Sequence, residues 1–338
     1  MVQKERERSN LRKIILEFPK QFREGIKRGE HLKIKEGFDY VIICGMGGSA
    51  LPAEILKIWL KKYKIALPLI INRSYQLPEG DEHSLYVCIS YSGNTEEVLH
   101  NYREIIRKKL PVVVITSDGK LAELAKYHRT PLVIVPKGVP PRLALGYQFS
   151  ALMKILVKAG MIQNGLLSLL RLEKTLKPKT LEKKGEEIAK RLKGKLPIIY
   201  SSDFWEPLAR IWKINFCENS KVLSFHNYFP ELSHNEIAGF WHLDQRLSIA
   251  SKIHLLVLQE KKEHPRILKQ MRFVKSLLER EGIEIEFVKI EGKTILEKIF
   301  SNITLSYWTS YHLACLYQVD PIAITMIEEL KLRLKKNS

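Results

Sequence analysis

Cysteine is scarce in this chain, with four among 338 residues. Cys44, Cys88, Cys217 and Cys315 stand alone in apolar or mixed surroundings without CxxC spacing. That excludes a disulfide framework and a paired-cysteine zinc site and leaves the thiols structural roles. No uninterrupted apolar run reaches the length of a membrane helix. The N-terminal stretch MVQKERERSNLRK is charged where a signal peptide has its apolar centre, so the reading is a soluble, cytoplasmic chain. Low-complexity tracts are missing, and no internal repeat is legible. Positive charge, in contrast, is in excess: 56 Lys and Arg face 37 Asp and Glu, a net charge of +19. The basic residues are dispersed (Lys61-Lys62, Arg107-Lys108-Lys109, Lys261-Lys262, Lys335-Lys336) and not gathered into an arm with interleaved aromatics. This pattern argues against a nucleic-acid partner and leaves a small anionic ligand or a lysine-rich surface.

The length exceeds what one compact core usually holds, so two domains are expected. In the first half, short Val/Ile-rich runs at Tyr40 to Cys44, Pro68 to Ile71, Leu85 to Ile89, Val112 to Thr116 and Leu132 to Val135 alternate with helical patterns at Ala50 to Lys62, Glu96 to Lys108 and Lys120 to Tyr127. Continuous apolar strands separated by crossover-length segments predict a parallel sheet with helices on both faces. Candidate strands at Pro197 to Ser201, Val222 to Phe225, Ile253 to Leu258 and Glu284 to Ile290 predict a second α/β domain. A basic helical segment from about Gln163 to Arg191 joins the two, and a last helix runs from Pro321 to Lys335. Trp205, Trp212 and Trp308 read as core.

In such sheets a ligand sits beyond the carboxyl ends of the strands. Two segments fall there: "YVIICGMGGSALPAEIL" and "LYVCISYSGNTEEVL". In the second, the hydroxyls of Ser90, Ser92 and Thr95 converge ahead of a helix N-terminus, and Gly93 lets the backbone approach an anion. The same residues also suit a turn with Thr95 as helix cap, and the loop alone leaves the two readings even. It has no Walker-type lysine, so a single phosphate monoester fits it better than a nucleotide. In the first segment, Gly45, Gly47 and Gly48 precede Ser49, but Ala50 replaces the last glycine of GxGxxG and no acidic residue ends the next strand, where Asn72 and Arg73 lie. A dinucleotide is therefore disfavoured, and the two loops together suit one small phosphorylated ligand.

"GMGGSA", "SYSGNTEE", "PPRLALGY", "ENSK" and "SHNEI", followed by "VDPIAITMIEELK", occur in that order over nearly the whole chain. The ordered set resembles the bifunctional phosphoglucose/phosphomannose isomerases, two-domain members of the sugar isomerase (SIS) superfamily. The resemblance implies an α/β fold of two SIS domains, each a mainly parallel sheet flanked by helices. On it, residues 1–35 form an N-terminal helical segment, 36–160 the first SIS domain with the phosphate loops, 161–192 a helical linker, 193–318 the second SIS domain and 319–338 a C-terminal helix. It also implies a metal-free, cofactor-free isomerisation of glucose 6-phosphate and mannose 6-phosphate to fructose 6-phosphate.

The roles follow from the resemblance. Gly47, Gly48, Ser49, Ser90, Ser92 and Thr95 would hold the phosphosugar. Arg142 would stabilise the enediolate, although its own sequence context, without the resemblance, favours a surface arginine beside a turn. Glu218, between apolar neighbours in "FCENSK", would carry the proton between C1 and C2 with a raised pKa, or else be a helix-surface charge. His234 would assist ring opening in the site of a neighbouring subunit, with Asn235 and Glu236 orienting it, which implies a homodimer; its other reading is a capping or interface histidine. Lys331 would assist ring opening too, or lie on a solvated helix face. A SIS protein without the proton carrier would be a non-catalytic phosphosugar sensor.

Overall fold

The computed structural model describes residues 2–336, with side chains described over 8–334. The chain divides into two compact units, one made of Leu16–Pro178 with Gly292–Phe300 and the other of the remaining described residues.

In the first unit five strands, β1 (Tyr40–Gly45), β2 (Leu69–Asn72), β3 (Ser84–Ser90), β4 (Val112–Thr116) and β5 (Leu132–Ile134), form a sheet in the order β2-β1-β3-β4-β5. Every pairing is parallel. The first helix of the chain, α1 (Val2–Glu17), belongs almost wholly to the other unit, and the helices of this one are α2 (Lys20–Arg28), α3 (Leu51–Tyr63), α4 (Glu96–Arg107), α5 (Gly119–Tyr127), α6 (Leu145–Lys158) and α7 (Leu166–Thr175). The Val/Ile runs become strands because both sheet faces are covered: all residues of β3 and β4 are buried. Ile42, Tyr86, Val98, Tyr102, Ile105 and Leu121 pack together on one side. Phe22, Phe149 and Phe300 meet in edge and tilted contacts, with ring centroids 4.5 Å apart for Phe22–Phe300 and 5.6 Å for Phe149–Phe300.

The second unit carries α8 (Pro178–Leu192), β6 (Leu196–Ser202), α9 (Glu206–Asn215), β7 (Phe225–Phe229), α10 (Leu243–Leu247), β8 (Ile253–Gln259), α11 (Pro265–Arg280), β9 (Glu284–Lys289), most of α12 (Ile295–Leu316) and α13 (Thr325–Lys336). Its sheet runs β7-β6-β8-β9, again all parallel. Trp205, Trp212 and Trp308 are core residues, each no more than 1% exposed. No helix of the described residues is long and apolar enough to cross a membrane.

Three segment expectations need correction. The strand expected at Val222 to Phe225 starts only at Phe225, because a tight turn ending in left-handed Lys221 (φ 57°) precedes it and leaves Leu223 exposed. The segment from Gln163 to Arg191 is two helices, since Pro178 forces extended backbone on the residues before it and Leu176 already has ψ 119°. The last helix starts at Thr325, not Pro321, because the Asp320 carboxylate accepts from the backbone N–H of Ile322 (2.7 Å) and Ala323 (3.3 Å) and holds a turn there.

The β8–β9 edge gives a pH prediction. Arg191 donates to both Glu286 oxygens, at 2.9 and 2.7 Å, and His254 Nε2 lies 3.6 Å away. Burial works to raise the Glu286 carboxyl, but His254 and the Arg191 guanidinium outweigh it and hold it at about 2, against an ordinary 4.5. A depressed carboxyl contributes stability that is complete above its unfolded value and lost as pH falls through the folded one. The melting temperature should therefore fall between about pH 5 and pH 2, and Glu286→Gln should flatten that branch in a melting series across this range.

Candidate active site

The order β2-β1-β3-β4-β5 reverses direction between β1 and β3. Strands that leave a starting strand to opposite sides open a crevice at their carboxyl ends, and the loops after β1 and β3 border it. These are the two loops singled out in the sequence. After β1, Gly47–Ala50 forms a short 3-10 turn, and after β3 the chain loops through Tyr91–Thr95 into α4.

Ser90 and Thr95 are brought together, their hydroxyls 2.8 Å apart. Thr95 occupies the N-cap position of α4, but its side chain makes no capping bond; its hydroxyl goes to Ser90 instead. The capping alternative is therefore half met: the position is right and the bond is absent. Ser92 is exposed, and its Oγ accepts from the Asn94 N–H at 3.3 Å. Ser49 is buried and its Oγ accepts from the Tyr91 N–H at 3.0 Å, which ties the two loops together. Gly47 is exposed with φ 49°, and Gly48 is buried.

Gly48 is where the Arg142 turn arrives: a Cβ there would stand 2.7 Å from the Arg142 backbone nitrogen. Arg142 itself, in the 3-10 turn Pro141–Leu143, is 1% exposed. This overturns the surface-arginine alternative, for the stiff Pro140-Pro141 lead-in seats the turn against the glycine loop and turns the guanidinium inward.

Sequence reasoning missed Gln21. This α2 residue is 3% exposed, and its side chain donates to Leu143 O (2.8 Å) and accepts from the N–H groups of Gly146 (3.1 Å) and Tyr147 (3.4 Å). It pins the turn that carries Arg142. Its only sequence signal is an amide on the apolar face of an amphipathic helix. Gln21→Ala should leave buried backbone groups unpartnered and lower stability by about 1–3 kcal/mol, read from the denaturant midpoint at unchanged m-value.

The other sheet has a matching reversal between β6 and β8, but its chemistry is opposite. There Ser202 donates to Glu263 at 2.9 Å, and burial, aided by Glu260 and Asp203, pushes the Glu263 carboxyl up. The second crevice is thus lined by a carboxyl group where the first offers hydroxyls. Among the described residues, no three His, Cys, Asp or Glu side chains are grouped as a metal site requires.

Glu218, His234 and Lys331 all belong to the second unit. Glu218 is half-buried in a π-helical turn, Phe216–Ser220, that continues α9. It borders an apolar groove of about 500 Å³ together with Val222, Leu223 and the start of α13 at Ile324–Ile327. Lys331 is exposed on α13, one turn beyond Ile327 and on the same helix face. His234 ends the 3-10 turn Glu231–His234 and is exposed, outside the groove lining. Its expected helpers are engaged elsewhere: Asn235 donates to Glu231 at 2.7 Å, and Glu236 accepts from Tyr200 and Asn227.

The paired loops at a parallel-sheet reversal define the class: the chain has the fold of the SIS phosphosugar proteins. It is similar in structure to the C-terminal domain of glucosamine-fructose-6-phosphate aminotransferase from Francisella tularensis (TM-score 0.68, 16% identity, 93% of this chain and 98% of that one). A profile described as bacterial phospho-glucose isomerase C-terminal SIS domain matches residues 181–334. A bifunctional phosphoglucose/phosphomannose isomerase from Caldicellulosiruptor bescii is 34% identical over 95% of this chain and 97% of its own length. One from Aquifex aeolicus is 35% identical over 88% and 91%. The chain belongs to the bifunctional phosphoglucose/phosphomannose isomerase family.

Proposed function

We propose that this chain interconverts glucose 6-phosphate and mannose 6-phosphate with fructose 6-phosphate. The observation that carries this is the pair of hydroxyl-bearing loops at the β1/β3 reversal, in a chain whose relatives bear that name. Ser90, Ser92 and Thr95 hold the phosphate, with Gly47, Gly48 and Ser49 along the sugar. His234 and Lys331 assist ring opening. Glu218 takes the proton from C2 of the open aldose, the electron pair moves toward O1, and the resulting enediolate is stabilised by Arg142. The acid so formed returns the proton to C1 while a proton passes from the C2 hydroxyl to O1, so one carboxylate suffices for the transfer between the two carbons. The two aldoses differ only at C2, which is planar in the enediol, and one site serves both.

The same reading makes the protein a homodimer in which His234 acts in the neighbouring subunit. Its support is the exposure of His234 and of apolar side chains such as Trp241 (67%), Leu223 (64%) and Leu247 (61%). A cytoplasmic location suits the four free cysteines. The test is to incubate the purified chain with each aldose phosphate separately and quantify fructose 6-phosphate after quenching. Conversion of both is expected. Saturable phosphosugar binding with conversion of neither would replace the enzyme by a sensor.

A further inference from the structure

We infer that Asn219 and Ser310 are positioning residues, a buried hydrogen-bonded clamp that fixes the direction of the Glu218 carboxylate; this rests on the reading of Glu218 as the proton carrier. The turn that bears Glu218 is an unusual one. A π-helical turn inserts an extra residue into the helical ladder and persists where surrounding structure holds it. Here it closes on Phe216, whose carbonyl accepts from Lys221 N–H and from Val222 N–H (3.2 Å), and Lys221 takes the left-handed conformation.

The holding structure is α12. Asn219 Nδ2 donates to Ser310 Oγ at 2.9 Å, and Ser220 Oγ donates to the Ser310 carbonyl at 2.9 Å. One turn earlier, Asn215 Nδ2 donates to Ser306 Oγ at 2.8 Å. Two asparagines four residues apart thus meet two serines four residues apart. Asn215, Asn219, Ser220, Ser306 and Ser310 are each no more than 1% exposed. Trp212, Phe216, Ile303 and Trp308, which stand close to them in the sequence, are all at 0%. Apolar side chains could fill this space with no polar group to desolvate, so the ladder contributes geometric uniqueness more than stability. It grips the residues that flank Glu218 while Glu218 itself faces the groove at α13. A proton carrier tolerates little displacement, and a small misplacement costs turnover while leaving binding alone.

The test is steady-state kinetics of Ser310→Ala, Ser310→Thr and Asn219→Ala, each assayed where circular dichroism shows the variant folded. Ser310→Ala and Asn219→Ala should each lower kcat for both aldoses at least about tenfold, with KM within about twofold of the parent. Ser310→Thr keeps the hydroxyl and should recover most of the loss. In a Glu218→Gln background, Ser310→Ala should cause no further loss, because it acts through Glu218. An unchanged kcat in folded Ser310→Ala and Asn219→Ala overturns the clamp, and so does failure of both variants to fold, which would make the ladder purely structural. Full turnover in Glu218→Gln would instead sink the reading of Glu218 itself, so the two failures are distinguishable.

Discussion

Glu218→Gln is expected to lower kcat for both aldoses by roughly 10²–10⁴-fold, the range general acid–base catalysis contributes. The amide keeps the shape of the side chain and the hydrogen bonds of the turn around it, but it cannot accept and return a proton. Binding of fructose 6-phosphate should stay close to that of the parent, because the lost interaction belongs to the transition state. The pairing of the two substrates matters as much as the size of the loss. A single carboxylate requires both activities to fall together, whereas a loss confined to one aldose would point to separate proton carriers. Retained turnover with both would remove Glu218 from the chemistry.

Gly93→Ala should be nearly as damaging, by a different route. Gly93 has φ 68°, in the left-handed region, and a Cβ placed there would lie 1.7 Å from the Asp118 carbonyl oxygen. That backbone cannot simply move aside. The Gly93 carbonyl accepts from Leu121 N–H (2.9 Å), Tyr91 O accepts from Ser117 N–H (3.0 Å), Asn94 Oδ1 accepts from Lys120 N–H (3.1 Å), and Thr116 Oγ1 donates to Asp118 O (2.8 Å). The loops after β3 and β4 are therefore one latched body, and the strain must be relieved by displacing the Ser90–Thr95 pair. The left-handed residue alone costs about 1–2 kcal/mol. KM for every 6-phosphosugar is expected to rise about tenfold or more, the equivalent of a lost charge-assisted phosphate bond. A folded Gly93→Ala protein with unchanged KM would mean that the phosphate is held elsewhere.

Which parts of this molecule could be read from the chain depends on how local their causes are. Strands β3 and β4 announce themselves because a strand buried on both faces needs an unbroken apolar run, and "LYVCIS" and "VVVIT" are such runs. Strand β7 is an edge strand with half-buried residues, so its FHNYF carries no such run, and the apolar Val222-Leu223 just before it misleads. The two glycine- and hydroxyl-containing loops were legible since their chemistry is written within a few residues of a strand end. The burial of Arg142 was not, because it depends on the fit of its turn against Gly48, almost a hundred positions earlier. Gln21 and the Asn219–Ser310 bond fail for the same reason: each joins segments far apart in the chain. The π-helical turn has no residue signature at all, since "FCENS" would sit equally well in an ordinary helix. Asn235 shows the opposite error. Adjacency in sequence suggested that it serves His234, while its side chain in fact reaches back to Glu231 and caps Glu236.

A single site that serves two C2 epimers has a rate law that can be checked directly. With glucose 6-phosphate and mannose 6-phosphate supplied together, each should inhibit conversion of the other competitively, with an inhibition constant equal to its own KM, and the total rate at saturation should lie between the two separate maxima. Rates that add at saturation would contradict one site and one proton carrier.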